Sequence, residues 1–329
     1  MFEKIKTYTT KRVSDILSKD AENFGFLKSD GITPNKNALL SALLINYFDI
    51  YNQQKQKREQ DIFNALKSNT YLPEEKIKDV VPHILNIITM DNFEDKSEKY
   101  DQLVSLKPTK QTNAIIEYIN SYLLQSTSLS KYLRDLFTSY TSLPQDRREI
   151  IIFKPLYDAL MQAISNNKKV FITPKYGQSI EVSPFAISLT KEEMHLYLLA
   201  HSPNSCKTIK LSSLDNVVIL DKPANIPDDA IKILTKMSQS NPQFIFTPNT
   251  QPIIIEFTDK GLNMFRKIYV HRPLPCNIDG NTFTFDCSYT QAIYYFTKFG
   301  KDAKIISPDY VKTVMSKFYE TALNVYKKN

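Results

Sequence analysis

Glycine and tryptophan are scarce in this chain of 329 residues, which has 6 glycines and no tryptophan. The glycines stand apart from one another, and neither G-x-x-x-x-G-K nor G-x-G-x-x-G occurs. Loops that hold phosphate groups with backbone N–H donors need such clustered glycines. The sequence therefore argues against a P-loop nucleotidase and against a dinucleotide-binding enzyme.

Long apolar runs and paired metal ligands are also missing. No segment approaches the roughly 18 uninterrupted apolar residues of a transmembrane helix, and the first residues, MFEKIKTYTTKR, lack the apolar core of a secretory signal. Cys206, Cys276 and Cys287 are irregularly spaced and have no histidine at the spacing of a zinc site. We therefore expect a cytoplasmic protein with reduced thiols, no membrane association, no metal and no cofactor.

Positive charge is concentrated in the second half of the chain. The net charge is +7, from 42 Lys+Arg and 35 Asp+Glu. Residues 1–150 contain 21 basic and 20 acidic residues, whereas residues 151–329 contain 21 and 15. A basic surface attracts polyanions, of which nucleic acid is the commonest. The charge distribution alone is equally consistent with a basic surface that contacts only solvent and has no partner.

Residues 1–51 follow a strand–helix–helix pattern. The alternation in EKIKTYTTK predicts a strand with Lys4, Lys6 and Tyr8 on one face. Two helices follow, which completes the ribbon-helix-helix pattern. In that pattern the strands of two chains pair into a ribbon that fits the major groove of DNA. We predict a homodimer that binds nucleic acid through this strand face; the alternative is a segment that only dimerises.

The second of these helices carries a predicted phosphate site. Thr33 has the character of an N-cap and Pro34 that of the first helical residue. The N-terminus of a helix presents unpaired N–H groups to anions. The backbone N–H groups of Asn35 and Lys36 are therefore predicted to hold a phosphate.

The remaining chain is predicted to form three further regions. Residues 52–150 form a helical linker region that contains a polar connection over 91–110. One helix and five short strands then predict a small β-barrel over residues 151–222. Residues 223–329 alternate between strand and helix, as a separate small α+β domain does. The predicted fold class is an α+β multidomain protein.

The helix and five strands resemble a WYL domain, a family named for a Trp-Tyr-Leu tripeptide. This chain has Leu196-Tyr197-Leu198 in its third strand, and Ser183-Pro184 with FAISL matches the strand before it. KTIKLSSLDNVVIL matches the basic run of the family, with Lys207 and Lys210 at the two leading basic positions. Serines replace the later Asp and Arg of that run. NTFTFDCS and YYFTKFGKDAKIISPDYV resemble the extension that commonly follows WYL domains, so the resemblance covers roughly residues 150–329.

The resemblance implies an Sm-like or SH3-like barrel that binds nucleic acid or a nucleotide-type ligand. The family positions implied for the site are Tyr176, Ser183, Tyr197, Lys207 and Lys210. The lysines would attract phosphates, and Tyr197 would offer a ring on which a base stacks. Taken alone, the spacing also fits an ordinary barrel whose lysines reach solvent beside a core tyrosine.

A ribbon-helix-helix segment followed by a WYL domain is similar to the WYL accessory proteins of type VI CRISPR loci. The resemblance implies a non-catalytic dimer that binds single-stranded RNA or DNA and stimulates a CRISPR effector RNase. A DNA-binding transcriptional repressor whose WYL domain senses a ligand is the alternative. A third hypothesis is a nuclease with carboxylates scattered along the sequence.

Overall fold

The structure is a computed structural model that describes residues 3–93, 99–124, 127–247 and 250–327. The chain divides into two compact units, Met1–Pro155 and Leu156–Asn329. Both contain helices and antiparallel strands, which confirms the predicted mixture of α and β structure. Within the described ranges, no helix is long and apolar enough to cross a membrane.

The first unit packs helices around a two-stranded sheet. Its elements are β1 (Ile5–Thr9), α1 (Lys11–Asn23), α2 (Lys36–Asn69), α3 (Glu74–Phe93), β2 (Gln102–Leu106), α4 (Lys110–Tyr118), α5 (Leu129–Thr141) and α6 (Gln145–Ile152). A π-helical turn, Ile119–Leu123, continues α4. The apolar faces of α1, α2 and α5 form the core, in which Leu17, Leu43 and Leu136 are fully buried.

Strand β1 pairs within its own chain. It runs antiparallel to β2, with Ile5 opposite Leu106 and Thr9 opposite Gln102. The sequence analysis placed the β2 segment in a polar connection over residues 91–110. Residues 94–98 of that connection lie outside the described part of the chain. β2 forms because QLVSL alternates, so that Val104 and Leu106 are buried. A ribbon shared by two chains would have to use the other edge of β1.

A buried ion pair joins α1 to the end of this unit. The Asp20 carboxylate is fully buried and accepts two hydrogen bonds from Arg148, at 2.7 and 2.9 Å. The Tyr140 hydroxyl donates a third, at 2.8 Å. Burial raises the pKa of Tyr140 well above its usual range, so this hydroxyl keeps its proton.

Helix α2 crosses the predicted boundary between residues 51 and 52. It continues for 34 residues because the polar segment NQQKQKREQ is made of good helix formers. Its middle is held by ring contacts between Phe48 and Tyr118 and between Tyr51 and Tyr132. The strand–helix–helix segment and the helical region therefore share one helix. The next predicted boundary, between 150 and 151, lies within α6, near the division of the units.

The second unit begins with a helix and a five-stranded sheet. These elements are α7 (Lys154–Ser165), β3 (Lys168–Pro174), β4 (Ile180–Leu189), β5 (Leu196–Ser202), β6 (Ser205–Lys210), β7 (Leu214–Pro223) and α8 (Asp228–Gln239). The strand order is β6-β5-β4-β3-β7, and all neighbours are antiparallel. The order leaves β6 and β7 at the two ends of the sheet, so the closed barrel stays a prediction.

A four-stranded sheet and its helices complete the second unit. The elements are β8 (Ile253–Phe257), α9 (Asp259–Lys267), β9 (Pro275–Asp279), β10 (Thr282–Phe285), α10 (Tyr289–Phe296), β11 (Ala303–Ser307) and α11 (Asp309–Lys327). The strand order is β11-β8-β10-β9. Phe257, Phe285 and Phe296 lie at the centre of its aromatic core. Both sheets fall in one compact unit, and the predicted boundary between residues 222 and 223 lies at the end of β7.

Candidate nucleic-acid interface

The outer face of β1 carries the residues that the sequence analysis selected. Side chains alternate along a strand, and here Thr7 and Thr9 are buried whereas Lys4, Lys6 and Tyr8 are exposed. Thr7 Oγ1 donates a hydrogen bond of 2.7 Å to the carbonyl of Ser130, which holds the inner face against α5. The three predicted residues therefore lie on one accessible side of the strand.

Strand β2 adds residues that the sequence analysis missed. Tyr8 lies opposite Leu103 and Lys6 lies opposite Ser105, and directly opposed residues project to the same side of a sheet. Leu103 is 49% exposed, and Lys107 follows in the same alternation. We call the set Lys4, Lys6, Tyr8, Leu103, Ser105 and Lys107 the ribbon face; Ser105 is half-buried and the other five residues are exposed. The alternation of apolar and polar residues in QLVSLK could have indicated a strand here, although not its pairing with β1.

Lys107 is tied to the start of α2. Its backbone N–H donates to Asn37 Oδ1 at 2.6 Å, and Asn37 Nδ2 donates to its carbonyl at 3.4 Å. Asn37 follows Lys36, which is exposed at the first position of α2. The contact therefore brings the chain at Lys107 next to the chain at Lys36.

The predicted phosphate site at Asn35 needs correction. Asn35, rather than Thr33, is the N-cap of α2, and its side chain accepts a hydrogen bond of 3.1 Å from the N–H of Ala38. Its own backbone N–H donates to the carbonyl of Phe26 at 2.7 Å. The backbone N–H of Asn35 is therefore already used, and the prediction that this N–H holds a phosphate is wrong. Lys36 lies next to Lys107 of the ribbon face.

In the second unit, Tyr197 and Lys210 form a direct cross-strand pair between β5 and β6. Both side chains are half-buried. Opposed residues in an antiparallel pair lie within about 5 Å of each other at Cβ. The pair thus combines a ring and an ammonium group on one side of the sheet, as the WYL resemblance implies.

Lys175 joins this pair from the end of β3. Its backbone N–H donates to the carbonyl of Ser213 at 2.8 Å. Burial lowers the pKa of Lys175; Asp215 opposes this shift, and the positive charge of Lys210 adds to it. The half-buried Lys175 ammonium group therefore lies within electrostatic reach of both the Asp215 carboxylate and the Lys210 ammonium group. The sequence analysis did not select Lys175, although its neighbour Tyr176 was selected.

Tyr176 lies in the turn after β3 and is 87% exposed. It follows Lys175 directly and lies at the same end of the sheet as Ser213 and Lys210. We call Lys175, Tyr176, Tyr197 and Lys210 the sheet cluster. The set contains two tyrosine rings and two ammonium groups.

Lys207 does not belong to the sheet cluster. The β5–β6 register is unbroken from Tyr197 opposite Lys210 to Ser202 opposite Ser205. Residues three apart on a regular strand project to opposite faces, so Lys207 and Lys210 lie on different sides of β6. The WYL resemblance implies both lysines for one site, but the strand geometry does not bring them together on one face.

Ser183 is also separate from the sheet cluster. It lies opposite His201, four residues along β5 from Tyr197, a distance of roughly 13 Å. Its side chain is buried, and the hydroxyl donates to the carbonyl of Asn225 at 3.4 Å. Ser183 lines a cleft of about 530 Å³ with His201 and Lys169. The cleft and the cluster are thus distinct places on the sheet.

Metal ligands are not grouped in the described residues. Over these ranges, no set of three or more His, Cys, Asp or Glu side chains is placed to hold a metal ion. The buried His271 instead contacts Glu193 through Nε2 at 3.0 Å and Gln243 through Nδ1 at 3.0 Å.

Comparison with solved structures finds a likeness over the whole chain. The protein is similar to a structure described as the crystal structure of a CRISPR Cas-related protein, with a TM-score of 0.70 and 17% sequence identity. The alignment covers 100% of this chain and 95% of that chain. At this level of identity the likeness establishes a shared fold.

A second solved structure, proteasome accessory factor B/C of Arthrobacter aurescens, aligns with 99% of this chain and 50% of its own. Its TM-score of 0.26 at 12% identity is too low for any argument about structure. No protein-family model matches the chain, and no curated protein matches it.

Proposed function

We propose that the protein is a non-catalytic, dimeric nucleic-acid-binding regulator that captures single-stranded RNA and stimulates an RNA-guided CRISPR RNase. The observation that carries the proposal is the sheet cluster. Tyr197 and Lys210 oppose one another, and Lys175 adds a second, partly desolvated charge. The full-length fold likeness to a CRISPR Cas-related protein supports the CRISPR setting.

The proposed mechanism is capture by charge and stacking. Phosphates of a single strand approach Lys175 and Lys210, and bases stack on Tyr197 and Tyr176. Each base–aromatic stack contributes about 1–3 kcal/mol and tolerates different bases. Lysine is a point charge without the fixed fork of arginine, so it selects phosphate without strict geometry. A weakly sequence-dependent captor of this kind would raise the RNA concentration near its partner RNase in the cytoplasm.

A salt-titrated binding assay tests the proposal. The full chain is measured against labelled single-stranded RNA, single-stranded DNA and duplex DNA of equal length, and a denaturing gel detects cleavage. We expect preference for single-stranded RNA, no cleavage, and acceleration of an RNA-guided RNase in trans. Cleavage of the RNA by the protein itself would overturn the non-catalytic role and favour the nuclease hypothesis.

The ribbon face favours a second candidate function, a DNA-binding repressor. A two-stranded β-ribbon fits the major groove, and Lys4, Lys6 and Lys107 would contact its phosphates. On that hypothesis the sheet cluster would bind a regulatory ligand. Duplex preference in the same assay would select this candidate over RNA capture.

A further inference from the structure

A cleft in the first unit lies between α2 and the α4 segment, and none of its described lining residues belongs to the ribbon face or the sheet cluster. Its volume is about 460 Å³, within the range of small-ligand pockets, roughly 300–1,000 Å³. The lining residues are Phe48, Asp49, Asn52, Gln53, Gln56, Ala114, Ile115, Tyr118 and Leu123. We call it the α2–α4 cleft.

One wall of the cleft is polar. Asp49, Asn52, Gln53 and Gln56 occupy α2 at spacings of three and four residues, which places them on one side of the helix. A carboxylate only accepts hydrogen bonds, whereas each amide both donates and accepts. This wall therefore offers a mixed set of donors and acceptors to a ligand.

The orientation of Asn52 is fixed from behind. The Tyr132 hydroxyl donates a hydrogen bond of 2.7 Å to Asn52 Oδ1. Burial raises the pKa of Tyr132, so the hydroxyl remains a donor at neutral pH. This bond directs the Nδ2 amide group of Asn52 away from Tyr132, so Nδ2 is the donor that Asn52 can offer a ligand. Asp49, three residues earlier, supplies an acceptor beside this donor.

The opposite wall is aromatic. Tyr118 is 49% exposed, and its ring stands edge-on to Phe48 with centroids 5.8 Å apart. Tyr122 packs against the same ring at 5.2 Å. These contacts hold Tyr118 in place while one part of its ring stays accessible. A fixed, half-exposed ring beside hydrogen-bonding groups suits a planar heteroaromatic ligand.

The π-helical turn explains how this wall is built. In an α-helix, residues five apart lie on different faces, whereas a π-helix bonds residue i to residue i+5. Tyr118 and Leu123 are five apart, and the turn Ile119–Leu123 brings both to the cleft. π-Helical turns occur frequently at functional sites.

We infer that the α2–α4 cleft binds a nucleobase that carries an exocyclic amine, with the base against Tyr118 and its hydrogen-bonding edge on Asp49 and Asn52. Asp49 requires a donor from the ligand, and Asn52 Nδ2 requires an acceptor. Adenine presents both on one edge, at N6 and N7. Uracil has no exocyclic amine, and its N3–H donor lies between two carbonyl oxygens that would repel the Asp49 carboxylate. Among the described lining residues none is cationic, so the base, rather than a phosphate, is the recognised group.

Equilibrium dialysis of the full-length chain with radiolabelled adenosine and uridine tests this inference. The assay uses the Lys175→Ala/Lys210→Ala background, so that the sheet cluster does not contribute. We expect adenosine to bind about fivefold or more tightly than uridine, and Tyr118→Ala to weaken it at least about fivefold. Tyr118→Phe should retain binding. Tyr71→Ala, which removes a fully exposed tyrosine of the same unit, is the matched control.

Asp49→Asn is a second variant that should fold normally, because Asp49 is exposed. This variant should bring the affinities for adenosine and uridine close together by replacing a pure acceptor with an amide. A parallel arm with oligoadenylate and oligouridylate distinguishes the two sources of the base. Binding of free adenosine identifies a nucleoside site, and Tyr118-dependent binding of oligoadenylate alone identifies a base within a strand.

Equal affinity for adenosine and uridine, or binding that neither Tyr118→Ala nor Asp49→Asn changes, would overturn the inference. Absence of binding in both arms would also overturn it. None of these results depends on the proposed RNA capture, because the background variant already lacks the two lysines of the sheet cluster.

Discussion

The ribbon face and the sheet cluster are both basic and aromatic, but they differ in burial. Lys4, Lys6 and Tyr8 stand exposed on a two-stranded sheet, whereas Tyr197 and Lys210 are half-buried in a five-stranded one. Exposed charges are screened by salt, over about 8 Å at physiological ionic strength. Partly desolvated charges interact more strongly with an anion. The ribbon face has three lysines and the sheet cluster has two, so the comparison teaches that burial, rather than the number of lysines, should set binding strength. This is why we propose RNA capture for the sheet cluster.

The largest expected effect is from Lys175→Ala combined with Lys210→Ala. A hydrogen bond to a charged group contributes about 1.5–3 kcal/mol, so loss of two should weaken single-stranded RNA binding about a hundredfold or more. Electrophoretic mobility shift at fixed salt measures the change. Lys312→Ala/Lys317→Ala, which removes two exposed lysines from α11, is the matched control. An equal loss in the control would reduce the sheet cluster to general surface charge.

Tyr197→Ala should have the next largest effect. Loss of one base–aromatic stack should weaken RNA binding about fivefold to a hundredfold, whereas Tyr197→Phe should preserve it. Fluorescence anisotropy with labelled RNA measures both variants. If Tyr197→Phe weakened binding as much as Tyr197→Ala, the hydroxyl would matter rather than the stacking ring.

The lowered pKa of Lys175 predicts a pH dependence. A lysine with a lowered pKa loses its proton at a lower pH than an ordinary lysine, and phosphate binding requires the protonated form. RNA affinity should therefore fall as the pH rises toward lysine's usual range, and Lys175→Arg should flatten this fall. Affinities of the two proteins between pH 7 and 10 give the comparison. Parallel pH curves would remove Lys175 from the binding site.

The ribbon face should affect duplex DNA more than RNA. Replacing Lys4, Lys6 and Lys107 with glutamine should lower the salt slope for duplex binding by about 3, since each phosphate contact contributes about 0.9. Affinity for single-stranded RNA should change by less than about threefold, because exposed charges are screened. Salt titrations with both ligands measure this, and a larger effect on RNA would reverse the ranking of the two surfaces.

Lys207→Ala should have the smallest effect on RNA binding. Lys207 projects from the face of β6 opposite to Lys210, because the β5–β6 register is unbroken. We expect a change of about twofold or less, against about tenfold for Lys210→Ala. Direct comparison of the two single variants is sufficient. Equal losses would place both lysines at one site and contradict the strand geometry.

The sequence predicted elements better than it predicted which of them meet. Alternation placed Lys4, Lys6 and Tyr8 on one face of β1, and the five strands followed a helix in the predicted order. The pairing of β1 with β2 joins segments about a hundred residues apart, and local periodicity has no information on such contacts. Leu103 and Lys107 could therefore not be assigned to the ribbon face.

Only part of the candidate site could be predicted, because its other residues are brought together by contacts between distant segments. The resemblance to WYL domains implied Tyr197, Lys207 and Lys210 together. The alternation of side chains along β6 separates Lys207 from the other two residues, and this alternation could be read from the sequence. Lys175 was missed because its burial and its repulsion by Lys210 arise only in the folded sheet. Similarly, the backbone N–H of Asn35 donates a hydrogen bond to the carbonyl of Phe26, and the residues that mark the start of the helix do not reveal this contact.

The most direct test is a salt titration of single-stranded RNA binding with three proteins: wild type, the Lys175→Ala/Lys210→Ala variant and the ribbon-face variant with Lys4, Lys6 and Lys107 replaced by glutamine. A phosphate contact on a single strand contributes about 0.7 to the slope, so the sheet-cluster variant should lose about 1.4. The ribbon-face variant should keep the wild-type slope. A wild-type slope in the sheet-cluster variant, with a lowered slope in the ribbon-face variant, would contradict the assignment of RNA capture to the sheet cluster.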